Sequence, residues 1–164
     1  MEMDSLQELL IDEMRDLYSA ETQITKALPK MAKKASNPQL KKAFETHLRE
    51  TEGQIQRLQK IFDKLGKKPT GKKCAAMEGL IEEGKEMMGE DMEDDTMDAA
   101  LISVAQKVEH YEIASYGTVR TWAQLLGDEQ TAKVLQQTLD EEGKTDKLLT
   151  ELAESSINLE AAQA

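Results

Sequence analysis

The chain has 164 residues, a formal net charge of −11 and a single cysteine, Cys74. This length fits one domain with its own hydrophobic core, which we predict over residues 1–164. The negative charge argues against direct binding to nucleic acid, because neutralising phosphates requires surplus Lys and Arg. No apolar run approaches the roughly 20 residues of a membrane span, and the acidic N-terminus is unlike a signal peptide. Together with the lone thiol, these features predict a cytoplasmic protein without a membrane segment.

The composition predicts an all-α protein. Glycine and proline are few, at 9 and 3 residues, and the long stretches rich in Ala, Leu, Glu, Lys, Met and Gln favour helices. We predict four long helices, at about 5–34, 38–65, 96–126 and 129–155. Residues 66–96 are predicted to form a long crossover that contains a short extra helix.

Short turns join the first long helix to the second and the third to the fourth. Asn37 can cap the second helix, and Pro38 suits its first position, where no amide donor is needed. Gly127 suits the end of the third helix, and Asp128 can cap the fourth. These turns predict two antiparallel helical hairpins that dock into a four-helix bundle.

Two glutamates interrupt the apolar face of the third long helix. The stripe at helical spacing reads Ile102, Ala105, Glu109, Glu112, Tyr116 and Val119, so both carboxylates should face the core. A bare carboxylate in an apolar interior costs several kcal/mol, and two on adjacent turns repel each other. The pair therefore needs protons, cationic partners or a metal ion.

The other long helices carry acids at matching heights. Glu21 lies in the apolar stripe of the first helix, and Glu142 and Asp146 lie in that of the fourth. Glu50 lies with His47 and Gln54 on the polar middle of the second helix. Counted from the turns, these acids fall at similar distances along the helices, so docking the hairpins would bring them into one layer. The alternative is that they are scattered and solvated.

This acidic layer predicts a metal centre. No Lys or Arg occupies the stripes, so two divalent cations are the economical counterion. Carboxylate oxygens with one imidazole suit iron or manganese better than zinc bound by thiolates. The predicted ligands are Glu21, Glu50, Glu109, Glu112, Glu142 and Asp146.

Several runs of the chain closely resemble the YciF-like stress-protein family. They are LIDEMRDLYSAETQITKALPKMAKKASNPQLKKAF, HLRETEGQI, CAAMEGLIEE, AALISVAQKVEHYEIASYGT and LDEEGKTDKLLTELA. The resemblance implies a ferritin-like fold, a role in stress responses, and a more distant similarity to rubrerythrins, ferritins and manganese catalases. It does not imply an agreed biochemical activity.

The rubrerythrin pattern matches the acids but not all the imidazoles. Five acids stand at the matching positions, namely Glu21, Glu50, Glu109, Glu112 and Glu142. Where that pattern has a histidine after the acid of the second helix, this chain has Gly53. After the acid of the fourth helix it has Asp146 in place of a histidine.

Four further residues are candidates for additional ligands or for contacts to ligands. His47 lies one turn before Glu50 and can replace a missing imidazole or bond to a carboxylate, and Gln54 offers a neutral oxygen. Tyr18 and Tyr116 lie one turn from predicted ligands, where a phenol can donate to a carboxylate or simply pack in the core.

Two functions fit these residues. The first is a dinuclear iron or manganese centre that reacts with O₂ or H₂O₂, as a ferroxidase, peroxidase or catalase-like enzyme, with an external electron donor because no C-x-x-C pair is present. The alternative is a non-enzymatic dimeric stress protein or interaction module without a functional metal. A homodimer is expected in either case.

Overall fold

The structure is a computed structural model that describes residues 3–164. It contains six α-helices and a π-helical turn, Ala153–Ile157. The helices are α1 (Leu6–Lys34), α2 (Pro38–Leu65), α3 (Ala75–Gly89), α4 (Asp94–Leu125), α5 (Glu129–Leu152) and α6 (Asn158–Ala161). The described residues form no strand, which confirms the predicted all-α class. None of these helices combines the length and hydropathy that a membrane span requires.

The turn residues act as their sequence predicts. The Asn37 side chain accepts from the backbone amides of Gln39 and Leu40, and Pro38 opens α2. The Asp128 side chain accepts from the amide of Thr131 at the start of α5. Gly127 adopts a φ of 79°, a conformation that favours glycine.

Two helix bounds differ from the prediction. α4 begins at Asp94 rather than near residue 96, because acidic residues are favourable in the first turn, where they face the positive end of the helix dipole. Regular α-helix ends at Leu152 rather than at residue 155, and the π-helical turn then leads into α6. Ile157, in that turn, is fully buried, so the end of the chain stays on the core.

The four long helices pack as a ring in the order α1, α2, α5, α4. α2 and α5 are antiparallel, since Glu50 contacts Thr145 while Lys64 contacts Asp128. α1 and α4 are also antiparallel, and α3, from the crossover, packs against both of them. The Asp98 carboxylate of α4 accepts from the amides of Ser36 and Asn37 at 2.8 and 2.7 Å, which ties α4 to the first turn.

The interior has two apolar clusters with a polar layer between them. One cluster, toward the turn between α1 and α2, includes Leu28, Phe44, Leu101 and Leu149. The other, toward the opposite end, includes Leu17, Phe62, Tyr116 and Leu135. The buried glutamates and His47 lie between these clusters, on helices that both clusters hold in place.

Candidate metal centre

Four side chains from three helices meet in the polar layer. They are His47 of α2, Glu109 and Glu112 of α4, and Glu142 of α5. Each offers one ligand atom, and these atoms lie within 4.8 Å of one another. Ligands on opposite sides of one ion with bonds of about 2.1 Å would lie about 4.2 Å apart. The cluster therefore has nearly the dimensions of a metal site.

Helical spacing explains this convergence. Glu109 and Glu112 are three residues apart on α4, so their side chains share one face. That face looks into the ring, toward the inner faces of α2 and α5. All four members of the cluster are buried, with at most 3% of any residue exposed.

Glu21 of α1 extends the cluster to all four long helices. Its side chain is fully buried and lies beside Glu112. The Tyr116 hydroxyl donates to Glu21 Oε1 at 2.7 Å and so fixes one carboxylate oxygen. The other oxygen, Oε2, remains available within the layer.

Most polar atoms of the layer have no hydrogen-bond partner among residues 3–164. They are Glu21 Oε2, both ring nitrogens of His47, Glu109 Oε2, and both carboxylate oxygens of Glu112 and of Glu142. His47 Nε2 nevertheless lies 2.7 Å from Glu109 Oε1, close enough for an ion pair once the imidazole is protonated. Buried polar groups are normally paired, so a group of unpaired ones requires a ligand or protons.

Burial makes the charged form of these acids expensive. It raises the pKa of Glu21 from 4.5 to about 7. Burial, together with the charge of Glu142, raises the pKa of Glu112 well above its ordinary value. The pKa of Glu142 is raised by burial and by the charge of Glu109. Without a cation, protons must offset the charge of the layer.

The pKa of His47 is raised although burial acts to lower it. Burial alone would lower its pKa, but the charges of Glu109 and Glu142 and the contacts with Glu109 and Glu50 outweigh that effect. The pKa of His47 is therefore raised well above 6.5, and the metal-free layer favours an imidazolium.

Glu50 lies at the edge of the layer rather than inside it. Its side chain is 27% exposed, and Oε2 lies 3.9 Å from His47 Nδ1. The Thr145 hydroxyl donates to the same oxygen at 3.4 Å. The contact with His47 is the largest cause of the lowered pKa of Glu50. Glu50 is therefore positioned to orient His47 from the side that faces solvent.

Asp146, which was predicted as a ligand, is not among the four side chains whose ligand atoms cluster, and its role in metal binding stays a prediction. Asp146 Oδ1 lies 3.3 Å from Gln106 Nε2, which donates to it, and 3.2 Å from His110 Nε2. These partners hold the carboxylate at the boundary between α4 and α5, away from the cluster.

The other three candidate residues, Tyr116, Gln54 and Tyr18, differ in whether they contact the layer. Tyr116 does contact a carboxylate of the layer, as described above. Gln54 is buried; its Nε2 donates to Glu141 at 3.0 Å, and its Oε1 has no partner in the described part of the chain. Tyr18 does not reach Glu21, since its hydroxyl accepts from Gln59 Nε2 near the surface.

Two polar groups next to the layer were not evident from the sequence. Tyr111 donates to Asp16 and lies 3.1 Å from Cys74 Sγ. Arg57 makes two bonds to Glu141, at 2.7 and 2.6 Å. The partners are separated by 37 to 95 residues, and no local spacing marks them.

Comparisons with known proteins place this geometry in a family. The family model described as "Domain of unknown function (DUF892)" matches residues 5–162. The chain is 48% identical to Protein YciF of Escherichia coli K12 over 162 residues, which cover 98% of each protein.

Solved structures show the same fold. The crystal structure of the E. coli stress protein YciF superposes with a TM-score of 0.91 at 48% identity, over 95% of this chain and 99% of that one. YcfI from Rhodopseudomonas palustris, for which a structural role is suggested, gives a TM-score of 0.87 at 45% identity, over 92% and 97% of the two chains. A protein from Xanthomonas campestris shares the fold at 24% identity, with a TM-score of 0.76 over 97% and 99%.

Proposed function

The chain belongs to the DUF892 family, and we propose that it binds two iron or manganese ions at the centre of a ferritin-like four-helix bundle, where they react with O₂ or H₂O₂. The ring of antiparallel helices and the central layer of acids support the ferritin-like assignment. The similar E. coli protein is described as a stress protein. Removing an oxidant, or oxidising ferrous iron, would suit such a role.

One observation carries this proposal. A layer of four glutamates and one histidine is buried from all four long helices, and most of its ligand atoms are unpaired in the described residues. Oxygen donors with one imidazole suit iron or manganese. Glu21, His47, Glu109, Glu112 and Glu142 would hold the ions.

The residues around the layer have distinct roles in this proposal. Bound iron or manganese would supply the change of redox state that O₂ or H₂O₂ chemistry requires. Tyr116 holds Glu21 in place, and Glu50 orients His47. The apolar clusters above and below limit access of bulk water, which strengthens electrostatic interactions inside the layer. Electrons for repeated turnover would come from outside the chain.

A second function is favoured by the missing imidazoles. Gly53 and Asp146 stand where rubrerythrins have histidines, and Asp146 lies outside the layer. In this alternative, protons satisfy the carboxylates and the chain acts as a non-enzymatic dimeric module. Its proposed homodimer would be detected as twice the monomer mass by analytical ultracentrifugation.

Turnover measurements distinguish the two functions. Protein loaded anaerobically with Fe²⁺ or Mn²⁺ is mixed with O₂ or H₂O₂, and consumption of the oxidant is followed. We expect rates well above those of the free metal, lost in Glu112→Gln and retained in the exposed control Glu45→Gln. Rates equal to those of free metal, or equal in both variants, would favour the non-enzymatic module.

A further inference from the structure

A cavity of about 240 Å³ lies between α1, α3 and α4. His47 and Glu109, two residues of the central layer, line it. Both are buried, whereas three other lining residues, Lys26, Lys30 and Lys85, are exposed. The cavity therefore leads from a basic mouth at the surface to the candidate metal centre.

The walls between these two ends are apolar. They consist of Ile24, Ala27, Leu28, Met31, Leu80, Ile81, Met88, Val104, Ala105 and Val108. Gly84 completes the wall of α3, where a Cβ atom would lie 2.9 Å from Val104 Cγ1. The glycine thus lets α3 lie close against α4. Apart from Gln23, the lining between the ends is apolar, and apolar walls beside a charged mouth fit an amphipathic ligand.

The mouth is basic although the chain as a whole is acidic. Lys26 and Lys30 lie one turn apart on α1, and Lys85 faces them from α3. Lys85 Nζ lies 3.5 Å from Glu82 Oε2, and because both side chains are exposed, this ion pair offsets little of the lysine charge. Three lysines at one opening, in a chain with net charge −11, indicate an anionic head group.

The volume limits the length of the ligand. A cavity of about 240 Å³ is smaller than most pockets for drug-sized ligands, which suits a short or medium hydrocarbon chain. The geometry points to a medium-chain fatty carboxylate as the ligand, with its head on the lysines and its hydrocarbon chain along the apolar walls. Binding of this ligand does not depend on the proposed metal function.

Calorimetry of the full-length, metal-free protein with a homologous series tests the binding. Hexanoate, octanoate, decanoate and dodecanoate are titrated below their micelle concentrations. We expect each added methylene to tighten binding about fourfold until the cavity is filled, after which the affinity levels off. Octylamine, which has a cationic head, should not bind. Affinity independent of chain length, or equal affinity for octylamine, would overturn the inference.

Variants of matched charge test the mouth. Lys26→Gln with Lys30→Gln should weaken decanoate binding about tenfold or more. Lys133→Gln with Lys147→Gln removes the same charge from an exposed face of α5 and should leave the affinity unchanged. Equal losses in both double variants would contradict a specific head-group site.

A last variant separates this inference from the proposed function. Glu112 is in the metal layer but does not line the cavity. Glu112→Gln should lose metal and still bind decanoate. Decanoate binding without any metal binding would leave the fatty-acid site standing and remove the metal function. Metal binding without decanoate binding would do the reverse.

Discussion

Glu141 and Glu142 are neighbours on α5, yet their carboxylates have opposite environments. Glu141 accepts two bonds from Arg57 and one from Gln54. Glu142 is fully buried, and the groups that act on its carboxylate include Glu109 and His47 of the same layer. Arg57 is the counterion of Glu141, and this pair joins α2 to α5. The Glu142 carboxylate needs protons or a metal cation to offset its charge.

Asp98 extends the comparison to a third buried acid. It is 2% exposed, and its two oxygens accept from two backbone amides of the first turn. Asp98 and Glu141, which stabilise the fold, therefore accept hydrogen bonds from donors within the chain. The central layer is equally buried, but among the described residues only Tyr116 and His47 offer donors to its four carboxylates, and this shortage is the physical basis for the proposed metal.

The largest expected effect is on the pH dependence of stability. The folded-state pKa of Glu21 is raised to about 7 from 4.5, and those of Glu112 and Glu142 are also raised. The folded protein therefore binds more protons than the unfolded chain across this window. Each such group should lower the free energy of unfolding by about 1.4 kcal/mol per pH unit as the pH rises from 4.5 toward 7.

Urea denaturation of the metal-free protein at several pH values measures this effect. Stability should be greatest near pH 5, and the titration of Glu21 alone should lower it by on the order of 3 kcal/mol by pH 8. Saturating metal should remove most of the decline, because binding releases the protons. Stability that is flat or rises over this range would show that the layer is not protonated in the folded state.

The next effect concerns the fully paired acid Asp98. Asp98→Ala removes two charge-assisted bonds and leaves the amides of Ser36 and Asn37 without their acceptor. We expect a loss of about 2–3 kcal/mol in the free energy of unfolding, measured by urea denaturation. Exposed Asp94→Ala on the same helix serves as control, with a change within about 0.5 kcal/mol.

Glutamine substitutions at the two neighbours on α5 should change stability in opposite directions. Glu142→Gln removes a buried charge, and should stabilise the metal-free protein by about 1–2 kcal/mol at pH 8. Glu141→Gln breaks the ion pair with Arg57, which is partly exposed, and should destabilise it by about 1 kcal/mol. Stability changes of the same sign in both variants would contradict the proposed difference between the two acids.

The smallest effect concerns Cys74, and it is an effect on the reaction rate of the thiol rather than on stability. Cys74 is fully buried, and burial raises the pKa of its thiol. Reaction with a thiol reagent should therefore be slow in folded protein and fast in urea. A folded-state rate close to that in urea would show that Cys74 is more accessible than this structure allows.

Helical periodicity in the sequence was enough to predict the acids of the layer. Glu109 and Glu112 occupy a long apolar stripe, so their burial followed from spacing alone. Asp146 was assigned to the layer by the same spacing, but side chains of α4 hold it at the boundary between two helices. An apolar stripe in the sequence identifies the buried face of a helix only to within the rotation from one residue to the next.

Features that depend on contacts between distant segments could not be predicted. The pairing of Arg57 with Glu141 joins residues 84 apart. The position of α3 depends on the close approach of Gly84 to Val104, and the cavity depends on that position. The sequence predicts a helix in the crossover but not which helices it covers.

Metal stoichiometry is the most direct test of the metal centre. Iron and manganese are added anaerobically to wild-type protein, Glu141→Gln and Glu142→Gln, and bound metal is counted per chain by elemental analysis after desalting. Our account predicts about two ions per chain in the wild type and in Glu141→Gln, and a large loss in Glu142→Gln. No metal in the wild type, or equal retention in both variants, would contradict it.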